Sequence, residues 1–464
     1  MRMPRIVLAA AASGSGKTTV TCGILKALAN RGIAAASFKC GPDYIDPLFH
    51  ARMIGTRSGN LDLFFTNGKT ARRLFRKTAA QVQISVIEGV MGYYDGLGMT
   101  VRASTYDMAK ELDAPVVLIV DCRGMSLSIV PVIKGFLEYK ENSHIRGVIL
   151  NRISASLYER LKPVIEEELP VRVLGYLPYN REIALESRHL GLVTPDDAAD
   201  TGEKLDRLAK LCEETVRMDD LIRLAEEASD MEDEEEEPYG LNGIQTQNGS
   251  RVRIAVSRDE AFCFWYEENL RLLSELGAEP VEFSPLRDPK LPEGAAGLWL
   301  CGGYPELHAK ALSRNESMRS SIRQAVCSGM PCIAECGGFL YLQERLMGED
   351  GNWYPMAGAL KGDGYRAGRL TRFGYAEITA NRRCLFGDKG TKLPIHEFHH
   401  WDSTENGDLF TAGKVSQNMR WECVRGGESL YAGFPHLYLY ADPAAASAYV
   451  NRCRSYQNLH GIGE

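Results

Sequence analysis

Residues 5–18 read RIVLAAAASGSGKT: an apolar run, a loop of alanine, serine and glycine, and a Lys-Thr pair. A helical pattern follows and extends to Asn30. Strand, loop, Lys-Thr and helix in this order form a phosphate-binding loop, in which backbone N–H groups and Lys17 hold phosphates and the Thr18 hydroxyl binds Mg²⁺. The first position of the motif is Ala11 rather than glycine. The stretch predicts a nucleotide site at the start of an α/β domain.

The chain carries two successive patterns of alternating strands and helices, as in α/β folds with a parallel sheet covered on both faces. In the first pattern, strands are predicted at residues 5–10, 33–38, 84–87, 116–120 and 147–150. In the second, strands are predicted at residues 252–257, 296–300 and 331–335, with a helix at 262–276.

An acidic run, EDEEEEP at 232–238, separates the two patterns. Such a block repels itself and cannot build a core. We therefore predict a first domain at residues 1–227, a flexible acidic linker at 228–250 and a second domain at 251–464.

Composition excludes several classes of protein. The 464 residues carry a formal net charge of −7, which gives no support for nucleic-acid binding. No apolar run approaches the roughly 20 residues that span a bilayer, and the short N-terminal run leads straight into the phosphate loop, which argues against a signal peptide. The twelve cysteines have no CxxC metal spacing and no paired framework. Reduced thiols in a cytoplasmic enzyme are expected.

Acidic residues follow the second and third predicted strands. Asp43 and Asp46 lie in KCGPDYIDP, and Glu88 and Asp95 lie in EGVMGYYDG. Because doubly wound sheets bind ligands at the carboxyl ends of their strands, these carboxylates are candidates for holding Mg²⁺ or orienting a phosphoryl acceptor. Glu88 closes its strand, where P-loop proteins place an acidic residue. Spacing alone favours turn roles for Asp46 and Asp95.

Cys336 ends an apolar run and is followed by two glycines and a helix-like segment. A cysteine at such a turn lies near the positive end of a helix dipole, which favours the nucleophilic thiolate. His436 is the leading candidate for its base, and the N–H groups of Gly302 and Gly303 for an oxyanion hole. From the residues alone, a small buried cysteine is equally expected at 336, and a structural histidine is favoured at 436.

The segment HEFHH at 396–400 formally matches the HExxH pattern of zinc hydrolases, with His396 and His400 as ligands. That pattern needs a helix to bring both histidines onto one face. Pro394 precedes the segment, and Trp401-Asp402-Ser403 follows it. We therefore expect a strand or loop here and no zinc site.

Longer motifs resemble the cobyrinate a,c-diamide synthase family over essentially the whole chain. They are FKCGPDYIDP at 38–47, EGVMGYYDG at 88–96, RHLGL at 188–192, AFCFWYEENL at 261–270, CGGYPE at 301–306, AECGGFLYL at 334–342 and HEFHH at 396–400. The resemblance implies an N-terminal ATP-dependent amidoligase domain, with a P-loop and a doubly wound parallel sheet similar to dethiobiotin synthetase. It also implies a C-terminal class I glutamine amidotransferase α/β domain of the cobalamin-pathway type.

The resemblance implies roles for the matching residues. Cys336 would be the glutaminase nucleophile, and His436 would raise its nucleophilicity. ATP would be bound by Gly14, Gly16, Lys17, Thr18 and Thr19, with Asn151 in contact with the adenine. Mg²⁺ would be bound by Thr18, Asp43 and Glu88, and Asp95 would take part in activating the carboxylate. The corrinoid would bind near a loop that contains Tyr44, Ile45 and Asp46. Most glutamine amidotransferases carry a glutamate two residues after the histidine, but here that residue is Tyr438. His436 must therefore be oriented by another group, or be less well oriented than the histidine of those enzymes.

The implied activity is ATP- and glutamine-dependent amidation of the a- and c-side-chain carboxylates of cobyrinic acid through acyl phosphates, in cobalamin biosynthesis. A shielded passage would carry ammonia between the domains. Hydrogenobyrinic acid and nickel-sirohydrochlorin remain alternative substrates, and a P-loop switch ATPase is an alternative of a different class. The expected partners are a corrinoid carboxylic acid, L-glutamine and ATP, without nucleic acid or membrane, and a homodimer stays open.

Overall fold

The computed structural model describes residues 2–180, 187–188, 191–192, 201–232, 251–368, 370 and 372–462. The chain divides into two compact units, Met1–Glu235 and Glu236–Glu464. The division falls within the predicted linker, of which residues 233–250 lie outside the described part of the chain. The RHLGL motif is described only in part, as two short paired strands, β8 (Ser187–Arg188) and β9 (Gly191–Leu192).

The first unit is built on a seven-stranded parallel sheet. Its strands are β1 (Arg5–Ala10), β2 (Ala35–Cys40), β3 (Arg57–Leu61), β4 (Ile84–Glu88), β5 (Val116–Asp121), β6 (Ile145–Asn151) and β7 (Arg172–Leu177). They are arranged in the order β3-β2-β4-β1-β5-β6-β7, and all neighbours run parallel. Parallel neighbours need crossover connections, and most of the crossovers here contain helices. The predicted α/β class with a doubly wound parallel sheet is confirmed.

The helices of this unit are α1 (Lys17–Asn30), α2 (Ile45–Phe49), α3 (Gly68–Ala79), α4 (Thr105–Glu111), α5 (Ile129–Glu138), α6 (Ala155–Glu168), α7 (Thr201–Thr215) and α8 (Met218–Glu226). A single π-helical turn, His50–Ile54, continues α2. Helix α1 packs closely on α7 at Gly23. A Cβ atom at this position would lie 2.5 Å from Cys212 Sγ, so the contact has no room for a side chain.

Strand register explains why polar side chains meet at one edge of this sheet. All six residues of β1 are buried, and the five after Arg5 are apolar, as expected for a central parallel strand. Leu8 of β1 and Lys39 of β2 both pair with Glu88 at the end of β4. The ends of β2 and β4 therefore lie level with each other, close to the point where the phosphate loop leaves β1.

The second unit contains a six-stranded sheet in the order β11-β10-β12-β13-β23-β22, parallel except for its last pair. Its strands are β10 (Val252–Ser257), β11 (Ala278–Phe283), β12 (Ala295–Leu300), β13 (Cys332–Glu335), β22 (Arg425–Gly426) and β23 (Leu430–Gly433). The helices are α9 (Glu267–Glu275), α10 (Ala309–Arg314), α11 (Glu316–Cys327), α12 (Gly337–Leu342) and α13 (Pro443–Leu459). This confirms the predicted α/β class of the second domain.

Two smaller sheets lie between β13 and β24 in the sequence. One contains β14 (Arg345–Met347), β15 (Trp353–Pro355), β16 (Asp363–Arg366) and β19 (Trp401–Ser403). The other contains β17 (Gly374–Ala380), β18 (Lys392–Glu397), β20 (Phe410–Lys414), β21 (Arg420–Cys423) and β24 (His436–Leu437).

The predicted helix at residues 262–276 is wrong in its first third. Helix α9 begins only at Glu267, and Phe264 instead forms a bridge in which its N–H donates to Gly302 O at 2.9 Å. A long-range backbone pairing therefore overrides the local helical pattern. Among the described residues, no helix is both long enough and apolar enough to cross a bilayer.

Candidate active site

The phosphate loop has the backbone that its glycines allow. Gly14 and Gly16 have φ values of +76° and +94°, in the left-handed region that favours glycine. At Gly16 a Cβ would also lie 2.2 Å from Asn151 Nδ2. Helix α1 begins directly at Lys17, so its first N–H groups, which have no partner within the helix, are available to an anion.

Asn151, predicted at the adenine, contacts the phosphate loop itself. It ends β6, is buried, and donates from Nδ2 to Ser15 O at 2.8 Å. The side chain therefore braces the loop conformation. Its contact with adenine stays a prediction.

Lys17 is held at the loop by two carbonyl groups. Its Nζ donates to Met91 O at 2.5 Å and to Ala12 O at 3.2 Å. Burial and, to a smaller extent, the nearby Lys39 ammonium lower the pKa of Lys17 to about 8. A phosphate group at this position would supply the negative charge that stabilises the Lys17 cation.

Thr18 and Glu88 are in direct contact. The Thr18 hydroxyl donates to Glu88 Oε1 at 2.6 Å, and Lys39 Nζ donates to the same oxygen at 2.8 Å. Lys39 Nζ also donates to Asp46 Oδ2 at 2.6 Å. Glu88, Lys39 and Asp46 are all buried, so the carboxylates offset the Lys39 charge inside the protein.

Asp46 does not have the turn role that its spacing favours. Tyr44 precedes α2, and Ile45 and Asp46 are its first two residues, so the predicted loop is a short helix. Burial raises the pKa of Asp46, but the Lys39 ammonium, His50 and the hydrogen bonds to this carboxylate together hold it below the usual value. Asp43 caps this helix, since its Oδ1 accepts from Ile45 N at 2.9 Å.

Asp43 and Asp95 differ in their surroundings. Burial raises the pKa of Asp43, and the neighbouring Asp46 carboxylate raises it further. Asp95 is exposed, and its Oδ2 accepts from Gly92 N at 2.9 Å, as the turn interpretation expects. Asp95 still lies close enough to Lys17 to stabilise its cation.

The donors at Thr18 and Glu88 fit Mg²⁺. A hydroxyl and a carboxylate are hard oxygen ligands, and Mg²⁺ sites in nucleotide enzymes use one or two protein ligands together with phosphates. Glu88 Oε2 is buried and accepts no hydrogen bond among the described residues. The described residues contain no cluster of three or more His, Cys, Asp or Glu side chains that would hold a metal ion by itself. Asp43, whose second carboxylate oxygen lies 3.8 Å from Lys39 Nζ, is the weaker candidate.

In the second unit, Cys336 occupies the turn between β13 and α12. Its φ of +47° and ψ of −102° are strained for a non-glycine residue, and strained turns of this kind present nucleophiles between a strand and a helix. Cys336 is buried, and burial raises the pKa of its thiol. The Glu306 carboxylate raises this pKa further, whereas the Gly337 N–H lowers it.

The expected thiolate is therefore not the favoured form in this structure. Burial outweighs the helix terminus, so a base must take the proton when the thiol reacts.

Backbone pairing brings His436 into this region. Cys336 N donates to Gly433 O at 2.7 Å, which extends the β13–β23 ladder by one residue. The chain continues from Gly433 into β24, where His436 is buried and pairs across from His396 of β18. The predicted nucleophile and base thus lie on segments that are held together by adjacent strands.

Gly302 and Gly303 lie beside both groups. A Cβ at Gly302 would be 2.5 Å from His436 Cε1, and a Cβ at Gly337 would be 3.0 Å from Gly303 N. Because Phe264 N donates to Gly302 O, and C=O and N–H point in opposite directions across a trans peptide, the Gly303 N–H points away from Phe264. The structure places the two predicted oxyanion-hole residues next to His436 and next to the turn that carries Cys336.

Both units match families of known proteins. Residues 6–193 match the CobQ/CobB/MinD/ParA nucleotide binding domain, and residues 253–443 match the CobB/CobQ-like glutamine amidotransferase domain. A cobyrinate a,c-diamide synthase from Caldanaerobacter subterraneus subsp. tengcongensis is 37% identical over 97% of this chain and 98% of its own length. The chain belongs to the cobyrinate a,c-diamide synthase family. A second member, from Clostridium acetobutylicum, is 39% identical over 95% of this chain and 98% of its own length.

In this member of the cobyrinate a,c-diamide synthase family, the HEFHH segment lies on a strand end and the loop after it. His396 and Glu397 end strand β18, and no helix carries the segment. Burial lowers the pKa of His396 to about 3 and that of His399 to about 4, which favours neutral imidazoles, and raises the pKa of Glu397 to about 7. The expectation of a strand or loop at this segment is confirmed.

Sequence reasoning missed two buried ionisable residues of this family member, Lys39 and Glu335. Lys39 lies between the carboxylates of the first unit, and Glu335 lies 3.8 Å from His436 Nδ1, measured from Oε2. Lys39 lies in the FKCGPDYIDP motif, and Glu335 lies in the AECGGFLYL motif. The signal available was the charge itself, since each charged side chain sits in a strand of otherwise uncharged, mostly apolar residues.

Proposed function

We propose that this protein uses ATP and glutamine to amidate the a- and c-side-chain carboxylates of cobyrinic acid. The observation that carries the proposal is the presence, in one chain, of a phosphate loop with Lys17 and a strained nucleophile turn with Cys336. A carboxylate does not condense with ammonia in water, so it must be activated, and a glutaminase centre can supply the ammonia. The end-to-end similarity to cobyrinate a,c-diamide synthases supports the choice of substrate.

In the glutaminase half-reaction, Cys336 Sγ loses its proton to His436 and attacks the side-chain amide carbon of glutamine. The oxygen of the resulting tetrahedral species accepts hydrogen bonds from backbone N–H groups in the Gly302–Gly303 segment. The C–N bond then breaks, and His436 returns the proton to the leaving ammonia. Water hydrolyses the glutamyl thioester and releases glutamate and the free thiol.

In the activating half-reaction, a corrinoid carboxylate oxygen attacks the γ-phosphorus of ATP, and the bond to the β-phosphate oxygen breaks to give ADP and an acyl phosphate. The phosphate loop and Lys17 hold the phosphates. Thr18 and Glu88 would hold Mg²⁺, which offsets negative charge on the phosphates. Ammonia then attacks the acyl carbon, phosphate leaves, and an amide remains.

The proposed compartment is the cytoplasm, and the proposed partners are small molecules. All twelve cysteines are free thiols, a state that fits the reducing cytoplasm. The proposed partners are the small molecules of the reaction, with ATP and Mg²⁺ at the phosphate loop.

A substrate panel tests the proposal. Purified protein is incubated with ATP, Mg²⁺ and glutamine, together with cobyrinic acid, hydrogenobyrinic acid or nickel-sirohydrochlorin, and products are followed by mass spectrometry. We expect two successive amidations of cobyrinic acid, each with one ADP formed. Preference for either other macrocycle would reassign the substrate but keep the chemistry. ATP hydrolysis without any amide product would favour the P-loop switch ATPase instead.

A further inference from the structure

The residue two positions after His436 contributes no carboxylate. It is Tyr438, which is buried and packs its ring edge-on against Tyr266, with ring centroids 4.9 Å apart. In glutamine amidotransferases with the usual glutamate, this position supplies the group that orients the histidine. A carboxylate for His436 must come from another element.

Glu335, the residue immediately before the nucleophile, faces His436 from strand β13. It is buried, and its Oε2 lies 3.8 Å from His436 Nδ1. Its Oε1 accepts from Leu437 N at 2.8 Å, and Oε2 accepts from Trp299 Nε1 at 3.3 Å. The carboxylate is thus fixed by two donors on different strands, and one of these donors is the backbone of the residue that follows His436.

One basic side chain lies beside the Glu335 carboxylate. In the part of the chain that the structure describes, no Lys or Arg lies within 4 Å of this carboxylate, and the neighbouring basic group is the His436 imidazole. A buried carboxylate is costly unless it is hydrogen-bonded or paired with a cation. An imidazolium forms at His436 during the reaction, when the histidine takes the proton of the Cys336 thiol, and Glu335 is placed to stabilise it.

The other ionisable groups in this region include two buried histidines and Glu397, which have other neighbours. His396 faces His436 across the β18–β24 pair, and His399 lies near it. Burial favours the neutral form of both imidazoles. Glu397 is adjacent to His396 in sequence, and its carboxylate lies 3.9 Å from His399 Nε2 and 4.0 Å from Arg372 Nε.

We propose that Glu335 is the positioning residue of the glutaminase centre: its carboxylate accepts from His436 Nδ1 and leaves Nε2 directed to the Cys336 thiol. The inference rests on the proposed roles of Cys336 and His436. The 3.8 Å separation exceeds a hydrogen bond. It closes by a small rotation of the imidazole when glutamine binds, as catalytic hydrogen bonds often tighten only in the substrate complex. The triad glutamate is thereby supplied by the strand of the nucleophile rather than by that of the base.

The experiment separates orientation from structural support. Glu335→Gln keeps an acceptor for Leu437 N but removes the charge. Trp299→Phe removes the other donor to Glu335 and keeps the charge, so it serves as the matched control for lost hydrogen bonding. For each variant and the double variant, glutamine-dependent kcat and KM are measured from pH 5 to about 10, a window around the ordinary pKa of histidine. Ammonium-dependent amidation and thermal unfolding report whether each variant folds.

For Glu335→Gln we expect a glutamine-dependent kcat lower by roughly 10-fold or more, within the range of a positioned acid–base group. We expect little change in the KM for glutamine and full ammonium-dependent activity. The limb of the pH profile that reports protonation of His436 should move to lower pH, because the imidazolium loses its neighbouring anion. Trp299→Phe should leave that limb in place. The rate at which a glutamine-analogue electrophile labels Cys336, located by peptide mass spectrometry, should fall in parallel.

An unmoved pH profile and an unchanged labelling rate in Glu335→Gln would overturn the assignment, even if stability fell. So would a shift of the same limb in Glu397→Gln but not in Glu335→Gln, because the orienting carboxylate would then be Glu397. Loss of amidation with both glutamine and ammonium in Cys336→Ser would instead contradict the proposed two-site function. Failure of the Glu335 assignment can therefore be distinguished from failure of the proposed function.

Discussion

The Thr18 hydroxyl donates a 2.6 Å hydrogen bond to Glu88 Oε1, across 70 residues of sequence. The contact exists because β1 and β4 are neighbours in the sheet, with Leu8 and Glu88 in register. The Thr18 hydroxyl at the start of α1 and the Glu88 carboxylate at the end of β4 are suited to share one Mg²⁺, and Lys39 provides positive charge at the same carboxylate.

Glu88→Gln should impair amidation with either glutamine or ammonium. The amide is a poorer Mg²⁺ ligand than the carboxylate and leaves Lys39 with less negative charge, so we expect a fall of about 100-fold or more in kcat/KM for ATP, with a higher Mg²⁺ requirement. Steady-state ADP release over a Mg²⁺ titration measures both. Glu138→Gln, at an exposed position on α5, is the control. Wild-type Mg²⁺ dependence in Glu88→Gln would remove Glu88 from the metal site.

Lys17→Ala should abolish amidation under both nitrogen sources, because the phosphate loop loses its cation. Glutaminase activity, which resides in the second unit, should remain measurable as glutamate release. Lys26→Ala provides a matched control on the same helix, since Lys26 forms an ion pair with Asp206 at 3.1 Å away from the loop. Amide formation at the wild-type rate in Lys17→Ala would contradict the proposed nucleotide site.

Cys336→Ser should eliminate glutamine-dependent amidation, because serine is a much weaker nucleophile in this setting, and should retain activity at high ammonium concentration. The measurement is amide product per ADP with each nitrogen source. Cys332→Ser changes a buried cysteine on β13, the strand that leads into the Cys336 turn, and should keep glutamine-dependent activity. Equal loss of both activities in Cys336→Ser would show that the ammonia source and the activating site are not separable.

Gly302→Ala should act through His436. The added methyl would lie 2.5 Å from His436 Cε1, closer than packed atoms approach, so the imidazole must move. We expect glutamine-dependent kcat to fall by roughly 10- to 100-fold, since a displacement of about 1 Å can cost that much. Gly427→Ala, in the same unit with open space around its Cα, is the control. Normal glutaminase kinetics in Gly302→Ala would mean that His436 is not at its catalytic position in this structure.

The parts of the fold and site that follow from the sequence are the local ones. Gly14, Gly16 and Lys17 specify the phosphate loop within a few residues, and the apolar run before Cys336 specifies a strand and turn. The contacts of Lys39 and Glu335 depend on the register between strands that are far apart in sequence, which local patterns do not contain. The start of α9 at Glu267 was missed for the same reason, because the preceding backbone pairs with Gly302.

The strands between β13 and β24 were missed for a different reason. Most of them are short, as in β14, β15 and β19, and a run of so few residues is too short to show the period-2 pattern of a strand. Their pairing nevertheless matters to the site, because β18 holds β24 and therefore His436.

The burial of Cys336 has a consequence beyond catalysis. Oxidants and electrophiles attack the thiolate, whereas burial raises the pKa of this thiol and keeps it out of solvent. With Cys336 as the proposed nucleophile, we expect the resting protein to react more slowly with such reagents than an exposed thiolate would. We also expect little hydrolysis of glutamine until the amide is bound and His436 is oriented to take the proton.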